Sequence, residues 1–289
     1  MTPRATPSTR GFVAAAALSL LLAGVALTGT TGPATAQGLQ GLKGGDEPLE
    51  IDAEEGIEWR RNEQLYIARG NARAARGDVT VYADIMTAHY KKLDDGSTDI
   101  DRIDVEGNVR IESPTETVYG DRGAYDVING ILVLVGDDLR IVGELDVITA
   151  RDSLEYWERK QLAVARGDAE AVREDKRVRA DVLTAHLEAD GDEDLQLKRI
   201  EAYGNVRVSS ATEFARGDRG TYYVQREFAT LSGSVKISRE ENQMNGEYAE
   251  VDMKQGVSRL LAGPPGTPRA GRVHGLLVPK RKPARGEDS

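Results

Sequence analysis

The residues best suited to chemistry in this chain are three histidines, one run of aspartates and three Arg-Gly-Asp tripeptides. His89 and His186 stand 97 residues apart in matching contexts, Thr87-Ala-His-Tyr90 and Thr184-Ala-His-Leu187, and His274 lies near the C-terminus. Neither a Ser-His-Asp arrangement nor a metal-ligand spacing surrounds them. Histidines that recur with a repeat are expected to be architectural. Asp190-Gly-Asp-Glu-Asp194 has the alternating acids of a calcium loop, with Glu201 at the twelfth place. Leu195, however, occupies the position where such a loop needs glycine, so the run reads as a solvated turn. Arg-Gly-Asp occurs at 76–78, 166–168 and 216–218. Each copy falls on a turn or repeat position, which argues against an adhesive role. Glycoside hydrolysis needs two converging carboxylates, and nothing selects a pair from the 48 acids.

The elements that must carry these residues are set by repetition. Arg102-Ile-Asp-Val-Glu-Gly-Asn-Val-Arg-Ile111 returns as Arg199-Ile-Glu-Ala-Tyr-Gly-Asn-Val-Arg-Val208, and Gly120-Asp-Arg-Gly-Ala-Tyr125 returns as Gly217-Asp-Arg-Gly-Thr-Tyr222. Both pairs are offset by 97 residues, so two tandem halves are expected. Glycines 70, 107, 136, 167, 204 and 233 mark six finer units. Apolar residues alternate with polar ones on both sides of each glycine, the pattern of a strand with one dry face. The glycine itself falls on the inward register, which suggests a bulge that lets the strand curve. About thirteen residues later a small residue and an acid open a second alternating strand, as at Ala83-Asp84 and Ala180-Asp181. Six strand pairs predict about twelve strands. Unit three differs, because Asp137-Asp138 delays its register by one residue.

The inward positions form one apolar seam. Around Gly107 they are Ile103, Val105, Val109 and Ile111; around Gly136, Leu132, Leu134, Leu139 and Ile141. Around Gly204 they are Ile200, Val206 and Val208; around Gly233, Leu231, Val235 and Ile237. The second strands add Tyr125, Val127, Tyr222 and Val224. Two readings stand: a closed core that holds the array together, or a groove partly open to a ligand. The lining is light in bulky groups, with three Phe and two Trp in 289 residues. A large closed core normally recruits bulkier side chains to reach native density. The terminal strands of such a stack are open edges that can pair with another copy or another protein.

The ends set the compartment. Arg4 and Arg10 precede an apolar run from Phe12 to Leu27, and Ala34-Thr-Ala36 is a small-x-small site, so cleavage is expected between Ala36 and Gln37. The rival is a retained anchor helix, for which the run is short. Losing the two arginines takes the net charge from −10 to −12. That excess of acid argues against nucleic acid as a partner. Cysteine is absent, so an exported chain would rely on burial and sheet pairing. Proline marks the limits of the sheet: Pro114 alone lies between Leu49 and Gly263, whereas residues 264–289 hold five. The expected organisation is a signal peptide at 1–36, a Gly-rich linker at 37–48, a β-repeat domain at 49–263, and a Pro-rich basic tail at 264–289.

Gly107-Asn-Val-Arg-Ile111 and Gly204-Asn-Val-Arg-Val208, each followed by a small residue and an acid, resemble the OstA-like repeats of the LptA lipopolysaccharide-transport family. The resemblance spans about 49–256. It implies an all-β fold, a twisted, partly open β-jellyroll built from tandem strand-pair repeats. It implies a periplasmic carrier, not an enzyme, with no cofactor. The seam residues named above would line a groove for the acyl chains of lipopolysaccharide. The implied partners are lipopolysaccharide, an LptC-like inner-membrane protein and an LptD-like outer-membrane translocon, the proteins being met through edge strands. An end-to-end homo-oligomer is also implied. Two departures stand out. The long tail could cover one edge and limit assembly, and the Ala-rich lining of units one and four could widen the groove there. The alternatives are a membrane-anchored LptC-like component that keeps residues 1–36, a β-repeat enzyme acting on polysaccharide, and a closed structural array.

Overall fold

The computed structural model describes residues 49–94, 96–190, 194–267 and 271–278. The signal and linker expectations, the centre of the Asp190–Asp194 turn and the basic end of the tail lie outside the described residues. Eighteen strands join into one sheet, and every neighbouring pair is antiparallel. Two short strands open the chain, β1 (Glu50–Asp52) and β2 (Gly56–Arg60). Four long ones follow: β3 (Leu65–Arg76), β4 (Val79–Lys92), β5 (Thr98–Glu112) and β6 (Glu116–Asp126). The middle holds four of five residues each: β7 (Ile131–Val135), β8 (Leu139–Gly143), β9 (Asp146–Ala150) and β10 (Ser153–Trp157).

The second half repeats the first. Its long strands are β11 (Leu162–Arg173), β12 (Lys176–Asp190), β13 (Asp194–Ser209), β14 (Glu213–Tyr223), β15 (Phe228–Arg239) and β16 (Asn242–Asp252). Two short strands close it, β17 (Val257–Leu261) and β18 (His274–Leu276). The twelve strands expected from six units are all present. Two of them are broken, at Gly136 and at Arg151-Asp152, which yields the four middle strands. The ends contribute the other four.

Each long strand serves two sheet faces. β3 pairs with β2 through residues 65–69 and with β1 through residues 73–75. β6 pairs with β7 through 122–126 and with β8 through 116–119. β11 does the same with β10 and β9. The division falls at the glycines, where β3, β5, β11, β13 and β15 each carry one extra residue relative to the next strand. Gly107 and Gly204 show why glycine is needed. Their φ angles are 77° and 73°, in the left-handed region that side chains disfavour. A Cβ on either would come within 2.1 Å of a carboxylate, that of Asp84 or Asp181. The same carboxylates accept hydrogen bonds from Asn108 and Asn205, at 2.9 Å each. The acid of one unit therefore locks the bulge of the next, and the sheet folds over along this line.

Inside the fold, one cluster of buried side chains runs from Ala68 to Ala249, and Leu197, Ile200, Tyr222 and Ala229 form a smaller one. The edges lie at the two ends. β1 and β2 pair only with β3 among the described residues, and β17 and β18 only with β16. Three residues of the tail form β18 against residues 243–245 of β16. The lower half of β16 presents an open edge there, and Val278 N donates to Asn242 Oδ1 at 2.9 Å beside it.

Candidate apolar groove

Among the described residues, apolar side chains line two cavities inside the folded sheet. The larger, of about 360 Å³, lies in the N-terminal half. It is walled by residues from both sides of the bulges: Tyr66, Ala68, Met86, Ala88, Ile103, Val105, Tyr125, Val127 and Leu132 on one face, Ala74, Val79, Val81 and Ile111 on the other. Leu49, Ile51 and Ile57 close it at the N-terminal edge. The smaller, of about 120 Å³, lies under the middle strands. Its walls include Val118, Leu132, Leu134, Ile141, Ile148, Leu154, Tyr156, Ala163, Ala165, Ala171, Ala185 and Ile200. Leu132 lines both, so the two are neighbours within the fold. The larger falls within the roughly 300–1,000 Å³ usual for ligand sites. The smaller is comparable to the roughly 150 Å³ engineered cavity that holds benzene. Alanines of unit one line the larger and alanines of unit four the smaller, at positions where larger side chains would fill the space.

The seam residues separate by depth. Ile103, Val105, Ile111, Tyr125 and Val127 line the larger cavity, Leu134, Ile141 and Ile200 the smaller, and Leu132 both. Val109, Val206 and Val235 lie beside the bulges, are 0–1% exposed and belong to the closed core. Leu139, Val208, Tyr222, Val224, Leu231 and Ile237 pack in the two core clusters or against them, and line neither cavity. The seam is thus sealed beside the bulges and lines cavities in the first half and the middle.

The walls also carry polar groups that strand alternation could have reached. Arg76 stands two residues beyond Ala74, and Glu116 two before Val118, both on the inward register. Arg76 lines the larger cavity and Glu116 the smaller. Burial raises the Glu116 carboxyl to about 7. Asp146, at the start of β9, is 4% exposed. Burial pushes it up to about 6, against the pull of Arg173, whose Nε lies 3.6 Å away. Tyr125 donates its hydroxyl to Glu158 Oε1 at 2.7 Å. Burial, then that bond, raises its phenol further above the usual range.

The histidines face outward. His89 Nε2 is 2.9 Å from Asp104 Oδ2 and His186 Nε2 is 3.0 Å from Glu201 Oε2, equivalent pairs in the two halves. His274 is exposed on β18. Among the described residues, no group of acids and histidines is arranged to hold a metal ion.

Three comparisons bear on this architecture. The family described as LptA/(LptD N-terminal domain) LPS transport protein matches twice, over residues 50–152 and 147–257. The matches begin 97 residues apart, the interval of the sequence repeat. An uncharacterized protein of Rhizobium meliloti (strain 1021) is 31% identical over 128 residues, covering 43% of this chain and 68% of its own length. Among solved structures, LptH of Pseudomonas aeruginosa is described as the LptA homologous periplasmic component of the conserved lipopolysaccharide transport device. It aligns with 19% identity and a TM-score of 0.39, covering 46% of this chain and 95% of its own. The two family matches together span most of the folded sheet, and the chain belongs to the LptA/(LptD N-terminal domain) family of lipopolysaccharide transport proteins.

Proposed function

We propose that the protein is a periplasmic carrier that holds the acyl chains of lipopolysaccharide in the groove and hands them on without catalysis. The observation that carries this reading is the pair of neighbouring apolar cavities that share Leu132 in their walls. Acyl chains would be held by burial, at ~0.8 kcal/mol per methylene. Burial is nondirectional, so a chain can slide along such a wall without a single deep trap. The sugar head would stay outside the fold. The edge strands β1 and β2 at one end and β17 and β18 at the other are the surfaces on which an LptC-like protein, an LptD-like translocon or a second copy would add strands. Ile57 and Trp59, about half exposed on β2, would supply apolar contact at the first end.

The test is native mass spectrometry of the protein recovered from a Gram-negative periplasm. Leu132→Asp puts a charge where the cavities meet, and Ala88→Phe fills the larger one. The reading expects a lipopolysaccharide mass on the wild type and its loss from both variants, with circular dichroism unchanged. A wild type that stays empty after lipopolysaccharide is added would overturn it.

A further inference from the structure

Arg76 is the last residue of β3, on the inward register, and it stands among apolar groups in the wall of the larger cavity. Its Nε is buried and has no hydrogen-bond partner among the described residues. A guanidinium donor taken out of water is expensive unless an acceptor meets it. The second half sets a carboxylate beside the equivalent cation. Arg173, 97 residues on, ends β11 at the equivalent place and has Asp146 Oδ1 at 3.6 Å. The position 97 residues before Asp146 is Leu49, which also lines the cavity. In the first half, then, a leucine replaces the carboxylate, and the arginine faces a chamber that is apolar apart from Thr98 and Asp99. The charge of Arg76 pulls the phenol of Tyr125, which lines the same cavity, down against its burial.

We propose that Arg76 is an anion-recognition site of the N-terminal chamber. It takes a phosphate or carboxylate oxygen from an amphiphile whose hydrocarbon chain fills the cavity. The fork of a guanidinium matches both oxyanions in two-point geometry, which a lysine cannot reproduce. The bound anion supplies the counter-charge that Asp146 supplies to Arg173. The site adds a point of registration to an otherwise uniform wall: the chain slides until its charged end reaches Arg76. The proposal rests on the carrier reading, because it presumes an amphiphile in the groove.

Calorimetry with three twelve-carbon probes below their micelle concentrations tests it: dodecyl phosphate, dodecanoate and dodecyl maltoside. Wild type is compared with Arg76→Gln, Arg76→Lys and Arg173→Gln. The proposal expects Arg76→Gln to weaken at least one anionic probe about tenfold or more, the scale of a lost charge-assisted pair, and to leave the maltoside unchanged. Arg76→Lys should recover part of the loss, and Arg173→Gln should leave the anion preference intact. Which anion responds more distinguishes a phosphate head from a carboxylate. Equal binding of the anions by wild type and Arg76→Gln, with the maltoside bound by both, overturns the site and leaves the groove standing. Failure of all three probes to bind the wild type overturns the carrier reading and the site together. The melting midpoint of Arg76→Gln should not fall, because the change removes an unmet donor; a clear fall would assign Arg76 to the scaffold instead.

Discussion

Asn108 Nδ2 lies 2.9 Å from Asp84 Oδ2, and the bond crosses the bulge at Gly107. Asn205 and Asp181 repeat it at 2.9 Å around Gly204. The carboxylate occupies the space that a side chain at the glycine would need. Gly107→Ala should therefore be destabilised by about 2–4 kcal/mol, from left-handed strain together with the clash. Asp84→Ala removes the clash and both hydrogen bonds from Asn108. The double variant should accordingly be less destabilised than the sum of the two singles. Denaturant midpoints of the four proteins check this, and strict additivity would show that the contact does not shape the bulge.

Much of this was legible in the residues, for physical reasons. Period-two alternation tells which way a side chain points, so the inward faces of β5, β7, β13 and β15 could be read directly. The inward glycines announced the bulges, and Asp137-Asp138 announced the register shift after Gly136 but not the break of the strand there. Depth was not legible. Val105 and Val109 share one face of one strand, yet Val105 lines a cavity and Val109 is sealed in the fold. Register cannot say how far a residue lies from the line along which a sheet folds. Arg76 and Glu116 were passed over because charged residues beyond an apolar run read as its solvated end. The edge strands were missed because β1, β2, β17 and β18 are too short to show a pattern.

Depth yields the second prediction. Val235→Ala, in the closed core at 0% exposure, should cost about 2 kcal/mol through the void it leaves. Lipid binding should persist wherever the variant is folded. Ala88→Phe should act the other way, lowering the midpoint little and abolishing binding. Thermal melts run beside lipid titrations separate the two, and a binding loss in Val235→Ala would show that the second half carries ligand too.

A third prediction concerns pH. Burial raises the Glu116 carboxyl from 4.5 to about 7. Between those values the folded protein holds a proton that the unfolded chain releases, so this group's contribution is full below about pH 4.5 and is lost as pH rises through 7. At ~1.4 kcal/mol per unit, the loss is on the order of 3 kcal/mol as an upper bound. Glu116→Gln should flatten the fall in stability between pH 5 and 7.5 and melt higher than wild type at pH 7.5. Asp146, raised to about 6, adds a weaker slope of the same sign that remains in the variant. Parallel pH profiles for wild type and Glu116→Gln would contradict the assignment.

The tail gives a fourth. β18 covers residues 243–245 of β16 with three exposed residues. Removing residues 271–289 should change the melting midpoint little and leave that edge free to pair. Sedimentation should then show stronger concentration-dependent association than for the full chain. A truncated protein no more associated than the full chain would mean that β18 does not limit assembly.

The most direct measurement is photocrosslinking to lipopolysaccharide in cells, with a benzophenone amino acid placed at Ile103 in the larger cavity or at His89 on the outer face. The account predicts a lipopolysaccharide adduct at position 103 and none at position 89. An adduct at both positions alike, or none at 103 in a folded protein, would contradict a lipid path through the groove.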